Sequence, residues 1–509
     1  MSLTGLPQPN RDARPLLRVF VMLVAGCLAV LGTHRNVLPP REAGDLGLAF
    51  GDAPLNLSNS PGAGAEGPRL VVTEGGSVHV VWQEDADSSL GSDLITRRKV
   101  PAGAWSAPAV LEYSGRQPAI TSFDKDEVAV AYVGGYSEPD GSLKMGIYVK
   151  AYDPSQHRWP LAGKPVPGGD GGVQPDVVQA EGRLWLVWVD TSTGSRRTAW
   201  QSRFPSGTPA PRGSTFDGII NNAQSPRIAA AVDQVGSADL HVAWMDESAQ
   251  DSWITHLWMA AAAPTPQVNG DLGPYYAQGL PRLPDIAASD RSTICLAWQE
   301  VVPLPPPDRR QDIVRSCSPW QEAFSESETG RPAADPSIDM DRQLGLLLAW
   351  RQEDGGTPGA GRGLRYRQEL PPHQGNIWEG EASQPDIVYD RASGDVHAVW
   401  LARVPGSDFT DVFYARWRPL LPSPSPSVTV TASMTASATR SPVPTRSPSA
   451  TRTPTVDPRR TPEATPTRGT PATPTRTPTG SRTPIETATR TTPTPRYRLY
   501  CPRLEQHVD

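Results

Sequence analysis

Seven copies of one five-residue pattern, a near-constant spacing between them, and a strand-like segment ahead of the first copy predict the fold class. It is all-β, a seven-bladed β-propeller closed by an N-terminal strand that completes the last blade. The pattern reads Val-His-Val-Val-Trp at Val78–Trp82 and recurs at Val128–Tyr132, Leu184–Trp188, Leu240–Trp244, Ile294–Trp298, Leu346–Trp350 and Val396–Trp400. The closing aromatics stand 50, 56, 56, 54, 52 and 50 residues apart. A period of about 50 residues marks a repeat architecture, in which each copy is one supersecondary unit that needs its neighbours.

The chain opens with a targeting-like segment over residues 1–33. Arg11, Arg14 and Arg18 precede an apolar run, Val19–Gly32. A charged region followed by an apolar stretch of this length fits a secretory signal. It is short for a spanning helix, which wants about 20 apolar residues. Adding Leu16 and Leu17 leaves room for an uncleaved anchor, and Val24-Ala25-Gly26-Cys27 resembles a lipobox in which Cys27 would be lipidated. A cleaved signal, an anchor and a lipoprotein remain three alternatives, and all put the rest of the chain outside the cytoplasm, in an extracellular or cell-surface setting. Residues 34–51 form a linker.

Residues 52–421 carry the repeats, and each follows one script. About 14 residues before the closing aromatic stands a proline, at Pro68, Pro118, Pro175, Pro226, Pro284, Pro336 and Pro385. Each is expected to start a short strand, since proline at the first residue of a strand need not donate to the ladder. A turn and the Val-His-Val-Val-Trp strand follow, then a polar loop and a third alternating strand. Most repeats add a fourth segment with a tryptophan, at Trp105, Trp159, Trp320 and Trp378; the third and fourth repeats are poorer there. Four short strands per repeat, seven times, is a propeller pattern. The seventh repeat has no fourth segment, whereas Ala53–Ser58 is a strand without a repeat. Pairing the two would close the ring and leave no open edge.

From Pro422 to about Pro495 the sequence is Ser/Thr/Pro/Arg-rich and too poor in apolar residues to offset ordering entropy. A disordered, extended stalk over 422–495 is expected, with O-glycosylation a compositional hint. Residues 496–509 regain aromatic character and read as a surface-attachment-like tag, in which Cys501 stands alone. From Pro422 onward there are 12 Arg, no Lys and 5 acidic residues, a net +7; with −6 for the whole chain, everything before carries −13. An acidic repeat domain repels phosphate, which argues against a nucleic-acid partner. The basic end could touch an anionic envelope.

With only four cysteines the chain is not a disulfide-stapled scaffold. Cys295 and Cys317 fall on successive predicted strands, nearly opposite each other across a hairpin centred near residue 306. A cross-strand disulfide and two small buried thiols are both compatible with that placement.

Candidate ligand-binding residues come from the strand ends. Glu84, Asp190, Asp246 and Glu300 stand two places past the closing aromatic, and Glu353 three past. All would begin loops on one face, forming either a carboxylate ring for cations or sugar hydroxyls or a set of solvated loop ends. Asp85, Asp87 and Asp93 add oxygens that could serve a calcium ion, without the spacing of an EF-hand. His79, His241 and His397 share one phase, three before the closing Trp. They occupy repeats one, four and seven, so they cannot all meet round one metal, and packing is the expected role. No nucleophile elbow, phosphate-binding loop or metal-ligand cysteine pair occurs.

The blade script resembles the BNR/sialidase-like repeats of secreted bacterial propellers over roughly residues 52–420. The family's Asp-box, Ser-x-Asp-x-Gly-x-Thr-Trp, is not intact in any blade; Tyr152–Trp159 and Val100–Ser106 are its nearest relics. The arginine-bearing motif of true sialidases is missing, and Ser225–Ile228 is too weak to stand for it. The terminal Tyr-Arg-Leu-Tyr-Cys-Pro-Arg-Leu after the stalk is similar to the ends of some bacterial surface proteins, with Cys501 in place of a leucine. The expectation is an exported cell-surface propeller that binds a carbohydrate or protein ligand at one face without catalysis. A divergent sialidase-like hydrolase and a purely structural envelope protein are the alternatives.

Overall fold

The computed structural model describes residues 53–419 apart from 61–62, 86–90, 124, 138–142, 193, 195, 204–212, 215–222, 234, 248–251, 273–278, 291, 303–309, 321–322, 328–330, 354–361, 404–406 and 408. The segment with Cys27, Asp87, the stalk and the terminal tag lie outside the described residues. These residues form seven four-stranded antiparallel sheets, consecutive in sequence except for the last. The first blade is β2 (Ala65–Val72), β3 (Val78–Asp85), β4 (Ser92–Lys99) and β5 (Ala109–Glu112), paired in that order. First strands of neighbouring blades touch one another all the way round, including β2 against the first strand of blade seven, β26 (Ala382–Asp390). They therefore line a central channel.

The second strand of each blade is the core. In β3, Val78, His79, Val80, Val81 and Trp82 are all buried. A strand of a sheet packed between two other sheets buries both faces, which is why the pattern is an unbroken apolar run rather than an alternation. All seven closing aromatics are at most 4% exposed.

The first strand differs from its expected form in one recurrent way. The prolines are not strand starts: Pro68 is the fourth residue of β2, and the others also lie inside their strands. Each sits at a shift of pairing register between the first and second strands, a β-bulge. Proline is tolerated at a bulge because the ladder bond is already broken there. The residue before each proline is left-handed: Gly67, Gln117, Gln174, Ser225, Leu283, Asp335 and Gln384 have φ between 47° and 56°. Clash with the proline ring disfavours the right-handed helical region for that residue.

The seventh sheet closes as the sequence predicts. Its order is β26, β27 (Asp395–Arg403), β28 (Thr410–Trp417) and β1 (Leu55–Asn56). Leu55 faces Tyr414, Asn56 faces Phe413, and the Leu57 amide donates to the Val412 carbonyl at 2.7 Å. Leu57 is fully buried, while Asn56 and Ser58 donate to the Asp411 carboxylate at 2.7 and 2.9 Å. Outer strands vary more than expected. Blade four has a ten-residue outer strand at Ala263–Leu272, although its sequence there looked poor, and in blade three the described part of the outer strand is Gly213–Ser214. Cys295 pairs with Cys317 across the second and third strands of blade five, with Cα atoms 4.1 Å apart, and the two form a disulfide.

The Asp-box relic at Tyr152–Trp159 folds as a tight turn between the third and fourth strands of blade two. The Asp153 carboxylate accepts from the Ser155 amide, the Ser155 hydroxyl and the Gln156 amide. His157 takes the left-handed position there at φ 51°, a place glycine usually fills.

Candidate functional site

The expected carboxylates stand at the same level of five blades, on the face of loops between second and third strands. Most are turned to their own blade. Trp82 Nε1 donates to Glu84 at 3.0 Å and Trp298 Nε1 to Glu300 at 3.0 Å. Residues two apart on a strand share a face, so the carboxylate returns to the indole of its own anchor. Blade six does the same with Gln352, which accepts from Trp350 Nε1 at 3.0 Å. Glu300 is fully buried against Gly279, where a Cβ would come within 1.8 Å of it. Asp190 and Asp246 are buried, and Asp190 accepts from the Ser192 amide at 2.9 Å. Glu353 is half-buried and pairs with Arg351 at 3.4 Å. The five do not form an open ring.

Of the acidic trio in blade one, Glu84's neighbour Asp85 faces Ser92 across the hairpin, and Asp93 accepts from the Ser114 amide at 3.1 Å. Among the described residues no group of three His, Cys, Asp or Glu is arranged to hold a metal ion.

The histidines pack between and within blades. His79 is fully buried and meets Tyr152 and Trp159 of blade two edge-on, at 5.1 and 6.4 Å between ring centres. Burial, then the Arg98 charge, lowers its pKa to about 3. His241 stacks on His256, ring nitrogens 3.2 Å apart, and His256 packs on Trp320 of blade five. Burial takes His241 to about 4; burial, then His241, takes His256 to about 3. His397 bonds the Tyr414 hydroxyl at 2.8 Å and is lowered to about 4 by burial, which outweighs Asp390.

The channel holds polar groups that the pattern reading passed over. The residue after each bulge proline is Arg69, Ala119, Asp176, Arg227, Asp285, Ser337 or Asp386. Where it can accept, it takes an amide from the next blade. Asp176 takes Ile228 at 2.9 Å, Asp285 takes Ile338 at 2.9 Å, Ser337 takes Ile387 at 3.2 Å and Asp386 takes Leu70 at 2.7 Å. The arginines fill the other places, Arg69 at 3.5 Å from Asp386 and Arg227 at 3.7 Å from Asp285. A second ring lies one step away. The amides of Gly67, Gln174 and Ser225 donate to the side chains of Gln384, Gln117 and Gln174, at 2.8, 2.9 and 2.9 Å. Enclosure raises the pKa of Asp176, Asp339 and Asp386, and takes Asp285 to about 6, against the pull of Arg227 and Arg69. The repeated Pro-Asp at 175–176, 284–285 and 385–386, answered by Pro-Arg at 68–69 and 226–227, was the available signal.

Two clefts open on opposite faces. On the loop face, Arg362, Arg365, Asn376, Trp378, Glu379 and Glu381 line one of about 520 Å3 on the outer hairpin of blade six and the residues that follow it. Trp378 is half-buried, held by Phe413 at 4.9 Å and Trp400 at 5.7 Å, and its indole nitrogen has no hydrogen-bond partner among the described residues. Gly380 follows at φ 126°, and a Cβ there would approach Trp378 Nε1 to 3.2 Å, so the glycine keeps the indole edge open. On the opposite face, turns between first and second strands of blades four to seven enclose about 470 Å3 at the channel mouth. This cleft is polar, with Asp233, Asp341, Arg342, Asp390 and Arg391 around Tyr389.

No family model and no curated protein matches the chain. Among solved structures it is similar to a Dyadobacter fermentans protein of unknown function, at 12% identity and a TM-score of 0.43, with 72% of this chain and 97% of that one covered. It is similar to an α-L-arabinofuranosidase from Fusarium graminearum in complex with an iminosugar inhibitor, at 11% identity and a TM-score of 0.42, covering 72% and 98%. A sialidase from Trypanosoma rangeli gives 9% and 0.37, covering 72% of this chain and 58% of that chain.

Proposed function

We propose that this chain is an exported, cell-surface propeller that binds carbohydrate without catalysis, and that the cleft around Trp378 is its binding site. The observation that carries the reading is the half-exposed indole, held rigid by two aromatic rings and flanked by guanidinium, amide and carboxylate groups. A sugar ring offers an apolar face to an aromatic and hydroxyls to such donors and acceptors, and the volume suits a small ligand. The non-catalytic part is supported by how the other carboxylates are used. Glu84 and Glu300 hold indoles, and the channel aspartates hold the amides and arginines of neighbouring blades. Export is supported by the charged and apolar N-terminal segment and by the Cys295–Cys317 disulfide, which suits an oxidising compartment. The stalk and terminal tag suit attachment to an envelope.

The test is a glycan array probed with the full chain, with and without calcium, beside Trp378→Ala and Trp378→Phe. Selective, saturable binding that Trp378→Ala abolishes and Trp378→Phe weakens supports the reading. Binding that survives Trp378→Ala moves the site elsewhere. Silence across the array sinks the carbohydrate reading in favour of a protein ligand. Loss of binding on chelation would bring calcium into the site.

A further inference from the structure

We propose that the cleft on the turn face is a second binding site, separate from the Trp378 cleft, and that it takes an organic cation bearing a primary ammonium group. Its walls are three turn aspartates. Oδ1 of each is used by its own turn, and Asp390 uses both oxygens: Asp341 Oδ1 accepts from the Gln343 and Leu344 amides, Asp390 Oδ1 from the Ala392 and Ser393 amides and its Oδ2 from the Ser393 hydroxyl, and Asp233 Oδ1 from the Val235 and Ser237 amides. Asp341 lines the cleft, and its Oδ2 takes no hydrogen bond among the described residues. Of the two arginines of the lining, Arg342 is bonded to neighbouring turns, and Arg391 stands in the field of Asp339. Arg342 donates to the Ser289 and Val232 carbonyls at 3.4 and 3.1 Å and stands 4.0 Å from Asp290. Arg391 acts on Asp339, whose carboxyl it pulls down against burial.

An independent observation is Tyr389. It lines the cleft and is 4% exposed, and its hydroxyl has no hydrogen-bond partner among the described residues. A buried hydroxyl without a partner is costly unless something fills the place. Burial raises its pKa first, then Asp339, Asp341 and Glu369, so the hydroxyl lies in the field of carboxylates beside the cleft. Beneath the mouth, the channel aspartates outnumber Arg69 and Arg227, and their raised pKa values mean that the resident arginines do not offset enclosure. A cation at the mouth would meet more carboxylates than arginines in a low-dielectric setting, with an aromatic ring beside it. Ammonium supplies three donors for such acceptors.

The test uses the full chain carrying Trp378→Ala, which removes the loop-face site, so failure of that site and failure of this one are read apart. Calorimetric titration compares a glucosamine trimer, which is cationic, with an N-acetylglucosamine trimer of the same rings, and lysine amide as an ammonium source without a sugar. The expected result is binding of the glucosamine trimer at least tenfold tighter than its acetylated form. Asp341→Asn, which keeps the turn acceptor, should cost tenfold or more, and Tyr389→Phe severalfold. Binding of lysine amide would assign recognition to the ammonium alone; binding of only the glucosamine trimer would assign it to ammonium on a sugar. Equal affinity for the acetylated and free amines, or affinities untouched by Asp341→Asn and Tyr389→Phe, would overturn the proposal.

Discussion

Among the described residues His79 has no hydrogen-bond partner for either ring nitrogen, and its ring neighbours are aromatic. Such a ring is stable only as the neutral form, because burying a charge there is costly. The same holds for His241, His256 and His397, whose pKa values fall to about 4, about 3 and about 4 from an ordinary 6.5. A histidine with a lowered folded pKa binds fewer protons folded than unfolded. Its contribution is whole above about 6.5 and is lost as pH falls toward the folded value, by about 1.4 kcal/mol per pH unit for each ring. Asp285 works the other way: its pKa, raised from 3.8 to about 6, makes it a cost that sets in as pH climbs through that interval. Asp176, Asp339 and Asp386 are raised as well, so the channel aspartates offset part of what the four histidines lose on acidification. The melting temperature should therefore hold steady above pH 6.5 and drop between 6 and 4, and His79→Phe should flatten the drop. A drop that His79→Phe leaves unchanged would show that ring to be solvated.

At the level of the strand, the bulge is the recurring device, and its strain has a purpose that differs between blades. A left-handed residue other than glycine costs about 1–2 kcal/mol. Gln174 recovers part of this, because its side chain accepts from the Ser225 amide and joins blade three to blade four. Leu283 sits at φ 47° with its side chain 42% exposed and no such bond to make. Glycine relieves the backbone at either place but loosens the unfolded chain by about 0.5–1 kcal/mol. Leu283→Gly should therefore be neutral or slightly stabilising in urea unfolding, while Gln174→Gly should lose about 1 kcal/mol. Equal losses would mean the inter-blade bond is worth nothing. The contrast also explains what the sequence could convey. The anchor strands were legible because their side chains face only neighbouring blades, so an apolar run declares itself. The prolines were visible as punctuation, yet a bulge and a strand start place the same residue there, and only the pairing register separates them. Glu84 and Glu300 read as loop carboxylates because an i to i+2 bond to an indole leaves no compositional trace. The Trp378 cleft depends on Arg362 and Arg365 meeting Asn376 and Trp378 across one hairpin, which only the pairing register sets.

For the whole molecule the decisive joint is the last. Every other blade is continuous in sequence, so its four strands remain tethered if it opens. Blade seven is completed by β1, which reaches β28 from the opposite end of the domain. The joint is small: two paired residues, the Leu57 amide on Val412, the Asp411 carboxylate shared by Asn56 and Ser58, and the buried Leu57 side chain. Arg97 of blade one adds a bond to the Leu57 carbonyl at 2.8 Å, tying the closing strand to the next blade. Three further links cross the same boundary at the channel, Leu70 to Asp386, Arg69 to Asp386 and Gly67 to Gln384. Removal of residues 1–60 should therefore leave six blades and the channel ring intact while exposing the β28 edge, an unpaired template for other chains. The expected outcome is a protein that still shows β-sheet circular dichroism but unfolds at lower urea and elutes as dimers and larger species. Leu57→Ala, which keeps the backbone pairing and empties one buried site, should cost about 2–5 kcal/mol without changing the elution volume. If the truncated chain stays monomeric and as stable as the full chain, the channel ring alone closes the propeller, and β1 covers an edge without holding it.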